Sequence, residues 1–209
     1  MAPVKRSYDA SGRRAAAQRR RTAIVRAAHD LFERDGFRGT TITAVARRAG
    51  VAPETIYKAF GTKAALAKAV FDLIMEGDED LPVAQQSGTR AIRAEPDVRR
   101  KIEMYVDGYV ERVQRSASVQ ILIRDGRHVD ESLEPVWQQL MDEALRGMGM
   151  LARHLAETGH LQVSVKQARD ILWNYISVDQ YERLVLQRGW SIERFAAWLG
   201  LALKSSLLD

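Results

Sequence analysis

The chain contains no cysteine among its 209 residues, so disulfides and thiolate catalysis are excluded. It has no apolar run near the roughly 18 residues that a membrane-spanning helix needs, because charged residues interrupt every candidate. Its four histidines, His29, His128, His154 and His160, show no HExxH or other metal-ligand spacing. A GxSxG elbow, a glycine-rich phosphate loop and a clustered carboxylate pair are also missing. These absences argue against an enzyme, with or without a metal or other cofactor. No segment alternates apolar and polar residues as a half-buried strand does, and there is no internal repeat. The N-terminal stretch MAPVKRSYDASGRRAAAQRRR lacks the apolar centre of a secretory signal. An all-α, cytoplasmic protein without membrane association is the expectation.

What is present is charge, unevenly placed. Residues 1–60 hold 13 lysines and arginines against 5 acidic residues, a net +8, whereas residues 61–209 hold 19 against 22, a net −3. A polyanionic partner at the N-terminal end follows from electrostatics. Residues 1–17 are small, polar and basic without periodicity, and are expected to form a disordered arm. Its arginines, with Arg19, Arg20 and Arg21 just beyond, suit added non-specific affinity for DNA.

Apolar residues then recur at helical spacing. Ile24, Ala27, Ala28, Leu31 and Phe32 predict a first helix from about Gln18 to Asp35, ended by Gly36. Thr40 or Thr41 supplies the cap of the next. The stretch Thr41–Phe60, TITAVARRAGVAPETIYKAF, reads as a helix-turn-helix. Val45, Ala46 and Ala49 form the inner face of one helix, Gly50 provides the turn, and Pro53 opens a second helix where its missing N–H costs nothing. Ile56, Ala59 and Phe60 form that helix's inner face. Its outer face is left to enter a DNA major groove. Thr62 starts a fourth helix that fades at Gly77. Residues 81–95 read as a loop. Beyond them lie stripes at Ile102–Val113, Trp137–Leu155 and Ala168–Val185, then a last helix capped by Ser191. The expected organisation is an arm (1–17), a helix-turn-helix domain (18–61) and a helical domain for effector binding and dimerisation (62–209).

Five pieces between Arg21 and Val70 carry a resemblance: a helix ending in DGF, a TT pair, ARRAGV, TIYKAF and GTKAAL. On these the chain resembles the tetracycline-repressor (TetR) family of bacterial transcriptional regulators, over about a quarter of its length. The resemblance implies a homodimer on a pseudo-palindromic double-stranded DNA operator, released when a small molecule binds the larger domain. It also matches Tyr57 and Lys63 to phosphate-binding positions. Two positions depart from the family pattern: Ala52 stands where a serine often caps the recognition helix, and Ala44 where an acidic residue often completes a capping box with Thr41.

The DNA-binding candidates are Thr41, Arg48, Pro53, Glu54, Thr55, Tyr57, Lys58 and Lys63. Phosphate contacts position the protein and base contacts specify the sequence. Thr41 combines a hydroxyl with a helix N-terminus, a setting that suits phosphate. Glu54 can accept from cytosine N4 or simply satisfy the helix dipole. Of Arg47 and Arg48, at least one is solvated. In the larger domain Met104, Tyr105, Tyr109, Trp137, Met141, Met148 and Trp173 are either the lining of an effector cavity or ordinary core. Arg124, His128 and Asn174 are its candidate polar anchors. A small, largely apolar effector is expected, with control by a protein partner as the alternative. Trp190, Tyr181, Leu184, Phe195, Trp198, Leu199, Leu203, Leu207 and Leu208 crowd the C-terminus. They either form a two-fold interface or pack within one chain.

Overall fold

The computed structural model describes residues 10–209, and among them every regular element is helical. The chain divides into two compact units, Met1–Val70 and Phe71–Asp209.

The first unit holds α1 (Ala10–Gly39), α2 (Ile42–Ala49), α3 (Pro53–Phe60) and the start of α4 (Lys63–Glu76). Its core is built from Ile24, Val25, Ala28, Leu31 and Phe32 of α1, Val45 and Ala46 of α2, Ile56 of α3 and Leu66 of α4, all buried. A large aliphatic or aromatic side chain buried in this way contributes about 1.5–3 kcal/mol. Gly36 breaks α1 with φ 69 and ψ 178, as its sequence position predicts. The break lets Phe37 stack on Phe32, with ring centroids 5.8 Å apart. Thr41, not Thr40, caps α2: its hydroxyl accepts from Ala44 N–H at 3.1 Å. Thr40 is buried and donates its hydroxyl to Gly36 O at 2.8 Å.

Helix α1 begins eight residues before the apolar stripe predicts. Of the arm expected at residues 1–17, residues 1–9 lie outside the described residues, and Ala10–Ala17 are helical. Alanine, arginine and glutamine are good helix formers, but none of the residues here whose burial is described is buried, so apolar periodicity does not mark the stretch.

The second unit contains α5 (Ser87–Ala94), α6 (Val98–Gly126), α7 (Glu134–Thr158), α8 (Val165–Tyr175), α9 (Val178–Tyr181) and α10 (Ile192–Leu207). Two elements differ from the periodicity reading. The expected loop at 81–95 holds a short 3-10 turn at Val83–Gln85 and helix α5. Helix α5 buries one large residue, Ile92, too little to leave a stripe. The single stripe over Ala168–Val185 is cut at Ser177, whose hydroxyl accepts from Asp179 N–H at 3.2 Å and starts α9. A π-helical turn, Glu182–Gln187, follows. Ser191 caps α10 as expected, accepting from Arg194 N–H at 3.2 Å. No helix among the described residues is long and apolar enough to cross a membrane.

One buried cation ties this unit together. Lys101 of α6 is 2% exposed. Its ammonium donates to Thr158 Oγ1 at 2.8 Å and lies 2.6 Å from His154 Nε2, both on α7. Burial pulls its pKa below the usual lysine value.

Candidate nucleic-acid interface

The turn between α2 and α3 is set by Gly50, in the left-handed region at φ 67, ψ 34. Val51 N–H donates to Ala46 O at 3.0 Å and Gly50 N–H to Arg47 O at 3.4 Å. This pair of bonds is a Schellman motif, and it satisfies carbonyls that the end of α2 would leave open. Ala52 then precedes α3 without a side-chain cap, so the helix rests on Pro53, on the Thr55 N–H bond to Ala52 O at 3.0 Å and on the burial of Ile56.

With Ile56 facing inward, α3 turns Glu54, Tyr57 and Lys58 to solvent, while Pro53 and Thr55 are half-buried. Tyr57 is 55% exposed. Among the described residues of the first unit no other large apolar side chain is as open. Core packing does not account for it. Ala59, read from the sequence as an inner-face residue, is exposed, and Phe60 is half-buried. Thr41 is exposed at the N-terminus of α2. Arg48 is exposed but engaged, its Nε donating to Asp30 Oδ2 of α1 at 3.1 Å and its Nη2 to the same oxygen. Lys63 is turned inward: its ammonium donates to Phe37 O at 2.7 Å and Thr40 O at 3.1 Å, over the Phe37 ring. It therefore ties the start of α4 to the break in α1.

Residues 24–70, the segment that builds this arrangement, match the family model of bacterial regulatory proteins of the tetR family. The chain carries a tetR-family DNA-binding domain. Regulators of this family are DNA-binding transcription factors, not enzymes. The fold of most of the chain is similar to that of solved TetR-family structures. A protein from Rhodococcus sp. assigned to the family has a TM-score of 0.72 at 18% identity, covering 90% of this chain and 98% of its own. One from Mesorhizobium loti has a TM-score of 0.69 at 16% identity, covering 91% and 96%. The transcriptional regulator FadR from Bacillus subtilis, in complex with stearoyl-CoA, has a TM-score of 0.68 at 16% identity, covering 88% and 98%. No curated protein matches the chain.

Sequence reasoning placed Arg21 in the basic arm and missed its packing role. Arg21 of α1 donates from Nη1 to Ala59 O at 3.3 Å and lies 4.3 Å from the centre of the Phe60 ring. It holds the C-terminal end of α3, where a cation suits both the open carbonyls and the helix dipole. Nothing in the sequence marks this contact, because it joins residues 38 apart.

In the second unit the effector candidates separate into interior and surface. Tyr105 and Tyr109 of α6 and Trp137 of α7 are buried, and Met104 and Met141 half-buried. Tyr105 Oη donates to Met148 Sδ at 3.2 Å, and Tyr109 Oη to Ile176 O at 3.0 Å. Burial pushes the Tyr105 phenol up to about 12 and the Tyr109 phenol higher still, so both act as neutral donors. Trp173 is 38% exposed on α8, outside this interior group. Of the proposed polar anchors, one is engaged in ion pairs and two are exposed. Arg124 is enclosed by Asp125, Asp179 and Glu182, its Nη2 lying 2.7 Å from Glu182, and these carboxylates push its pKa up. His128 and Asn174 are exposed.

The dimer candidates separate in the same way. Phe195, Leu199 and Leu203 are fully buried within the chain and Tyr181 nearly so. Tyr181 meets Phe195 edge to face at 5.7 Å. Side chains with no exposed surface have none to offer a partner, so Phe195, Leu199 and Leu203 are core, and Tyr181 has little surface left to offer. Leu184 and Trp198 are half-buried. The apolar side chains that do face solvent here are Leu186 at 56% and Leu201 at 65%, neither of them singled out from the sequence. Among the described residues no group of acidic or histidine side chains could hold a metal ion.

Proposed function

We propose that the protein is a ligand-responsive transcriptional repressor. Two copies bind a pseudo-palindromic operator through α3, and a small, largely apolar effector bound by the second unit releases them. The observation that carries this reading is the outer face of α3. Tyr57, Lys58 and Glu54 project into solvent from a short helix held from behind by the Schellman turn, Ile56 and Arg21. A two-fold arrangement would place two such helices about one DNA turn apart and would bury the exposed Leu186 and Leu201. The stearoyl-CoA complex of the similarly folded FadR supports an effector with a long apolar part. Helix α4, which runs from the first unit into the second, is the element through which an effector would alter the spacing of the two reading heads.

Selection of bound duplexes from a random pool at physiological salt tests the reading. A palindromic consensus is expected, and a fluorescent copy of that duplex then serves to screen effectors by release. Enrichment without a consensus would mean charge-driven binding alone and would overturn it. A specific duplex that no small molecule releases would overturn the effector half and favour control by a protein partner.

A further inference from the structure

Helix α6 carries a glycine, Gly108, in its interior, where glycine is a poor helix former. A side chain from the next turn occupies the space it leaves. A Cβ on Gly108 would stand 3.0 Å from Arg112 Nη1, so the guanidinium lies against bare backbone. Helical side chains lean toward the N-terminus, and Arg112 therefore reaches back along α6 toward Tyr105 and Tyr109. At about 100° per residue, Tyr105, Tyr109, Arg112 and Ser116 fall within about 60° of one another round the helix. The charge of Arg112 acts on both phenols.

Both donors at this place lack a good acceptor. Of the four arginines described as half-buried, Arg124 is enclosed by three carboxylates, Arg127 has Glu134 at 3.7 Å and Arg169 has Asp170 at 2.7 Å. Among the described residues no carboxylate or carbonyl takes the guanidinium of Arg112. The buried Tyr105 hydroxyl donates only to Met148 Sδ, and a thioether is a weak acceptor on a side chain flexible enough to yield its place. Arg112 brings one positive charge and the phenol none, while Asp179 is near enough to act on Tyr109. The planar, singly charged pair of oxygens of a carboxylate matches such a site. A phosphate dianion would leave one charge uncompensated in a half-buried place.

We propose that Arg112 and the Tyr105 hydroxyl bind the carboxylate of the effector, whose apolar remainder lies among the buried side chains of α6 and α7. This rests on the effector half of the reading above and narrows it from apolar compounds to apolar monocarboxylic acids. Gly108 is a positioning residue: it touches the guanidinium and leaves it room to lie along the helix.

The test uses the full chain, with octanoate, decanoate, dodecanoate, phenylacetate and naphthoate as probes. Each is run beside its primary amide, which has nearly the same shape and no charge. Binding is read by calorimetric titration, and release by the anisotropy of a duplex obtained by selection. At least one acid is expected to bind, with its amide about tenfold weaker or more. Arg112→Gln should weaken that acid by about ten- to a hundredfold and leave the amide unchanged. Gly108→Ala keeps the charge and favours the helix, yet should also weaken the acid, because its Cβ displaces the guanidinium. Circular dichroism confirms that both variants fold. Parental affinity for the acid in either variant, amides that bind as tightly as their acids, or a panel in which no acid binds would overturn the proposal. If uncharged or cationic compounds release the duplex instead, the effector reading stands and only the carboxylate site has failed. If no compound of any charge binds the protein or releases the duplex, the effector reading has failed with it.

Discussion

Replacing Gly50 with alanine isolates the conformational cost of the turn that sets α3. Gly50 has φ 67, and a Cβ built on it would meet nothing within 4 Å. No steric clash enters, so the penalty is that of the left-handed region for an L-residue, about 1–2 kcal/mol. Loss of freedom in the unfolded chain returns about 0.4–1 kcal/mol, leaving a net cost near 1 kcal/mol. Asparagine tolerates the left-handed region better than alanine and should cost less, whereas β-branched valine should cost more. The order expected is therefore glycine, asparagine, alanine, valine. Chemical denaturation followed by circular dichroism measures the stabilities, and anisotropy with a selected duplex measures binding. Because the two Schellman hydrogen bonds are backbone bonds, Gly50→Ala and Gly50→Asn should keep their affinity under conditions where they are folded. If Gly50→Ala is as stable as the parent, or if Gly50→Asn is the worst of the three, the account of the turn is wrong.

Thr41→Ala removes the hydroxyl that caps α2 and should cost about 1 kcal/mol, measured by the same denaturation, with Thr41→Ser recovering most of it. Tyr57→Phe should leave the melting temperature unchanged, since the ring is largely in solvent, and should weaken operator binding; parental affinity would remove Tyr57 from the interface. Spectrophotometric titration should find Tyr105 still protonated until the pH nears about 12. A raised folded pKa stabilises the fold fully below the ordinary tyrosine value and loses that stability as pH rises through the window between the two. Tyr105→Phe should therefore flatten part of the alkaline fall in stability. Leu201→Arg adds a charge at a side chain already 65% exposed, so a monomer should remain folded while sedimentation shows loss of any dimer built on α10.

Periodicity and turn chemistry suffice for the helix-turn-helix because its signals are local. Gly36, Gly50 and Pro53 act within one turn of their own position, and Thr41, Thr62 and Ser191 cap the helices they precede. The same signals fail where a helix leaves no apolar stripe, as at the exposed start of α1 and in α5 with its one large buried residue. They also fail where one stripe runs through two helices, because Ser177 begins a new helix without interrupting the spacing of apolar residues.

For the site, residue type was legible and engagement was not. The sequence alone determined an all-α chain, a basic end, a recognition helix with Glu54 and Lys58 outward, and a crowd of large apolar residues near the C-terminus. These follow from local propensity and from spacing along one helix. Only the tertiary structure decided that Lys63 turns inward to Phe37 and Thr40, that Arg48 pairs with Asp30, that Arg124 is enclosed by three carboxylates, that Arg21 holds the end of α3, and that Phe195, Leu199 and Leu203 are core while Leu186 and Leu201 face solvent. Nearly all of these facts join residues many positions apart or depend on which of several apolar faces is covered. Both are set by how helices pack against one another, which no single helix's periodicity contains.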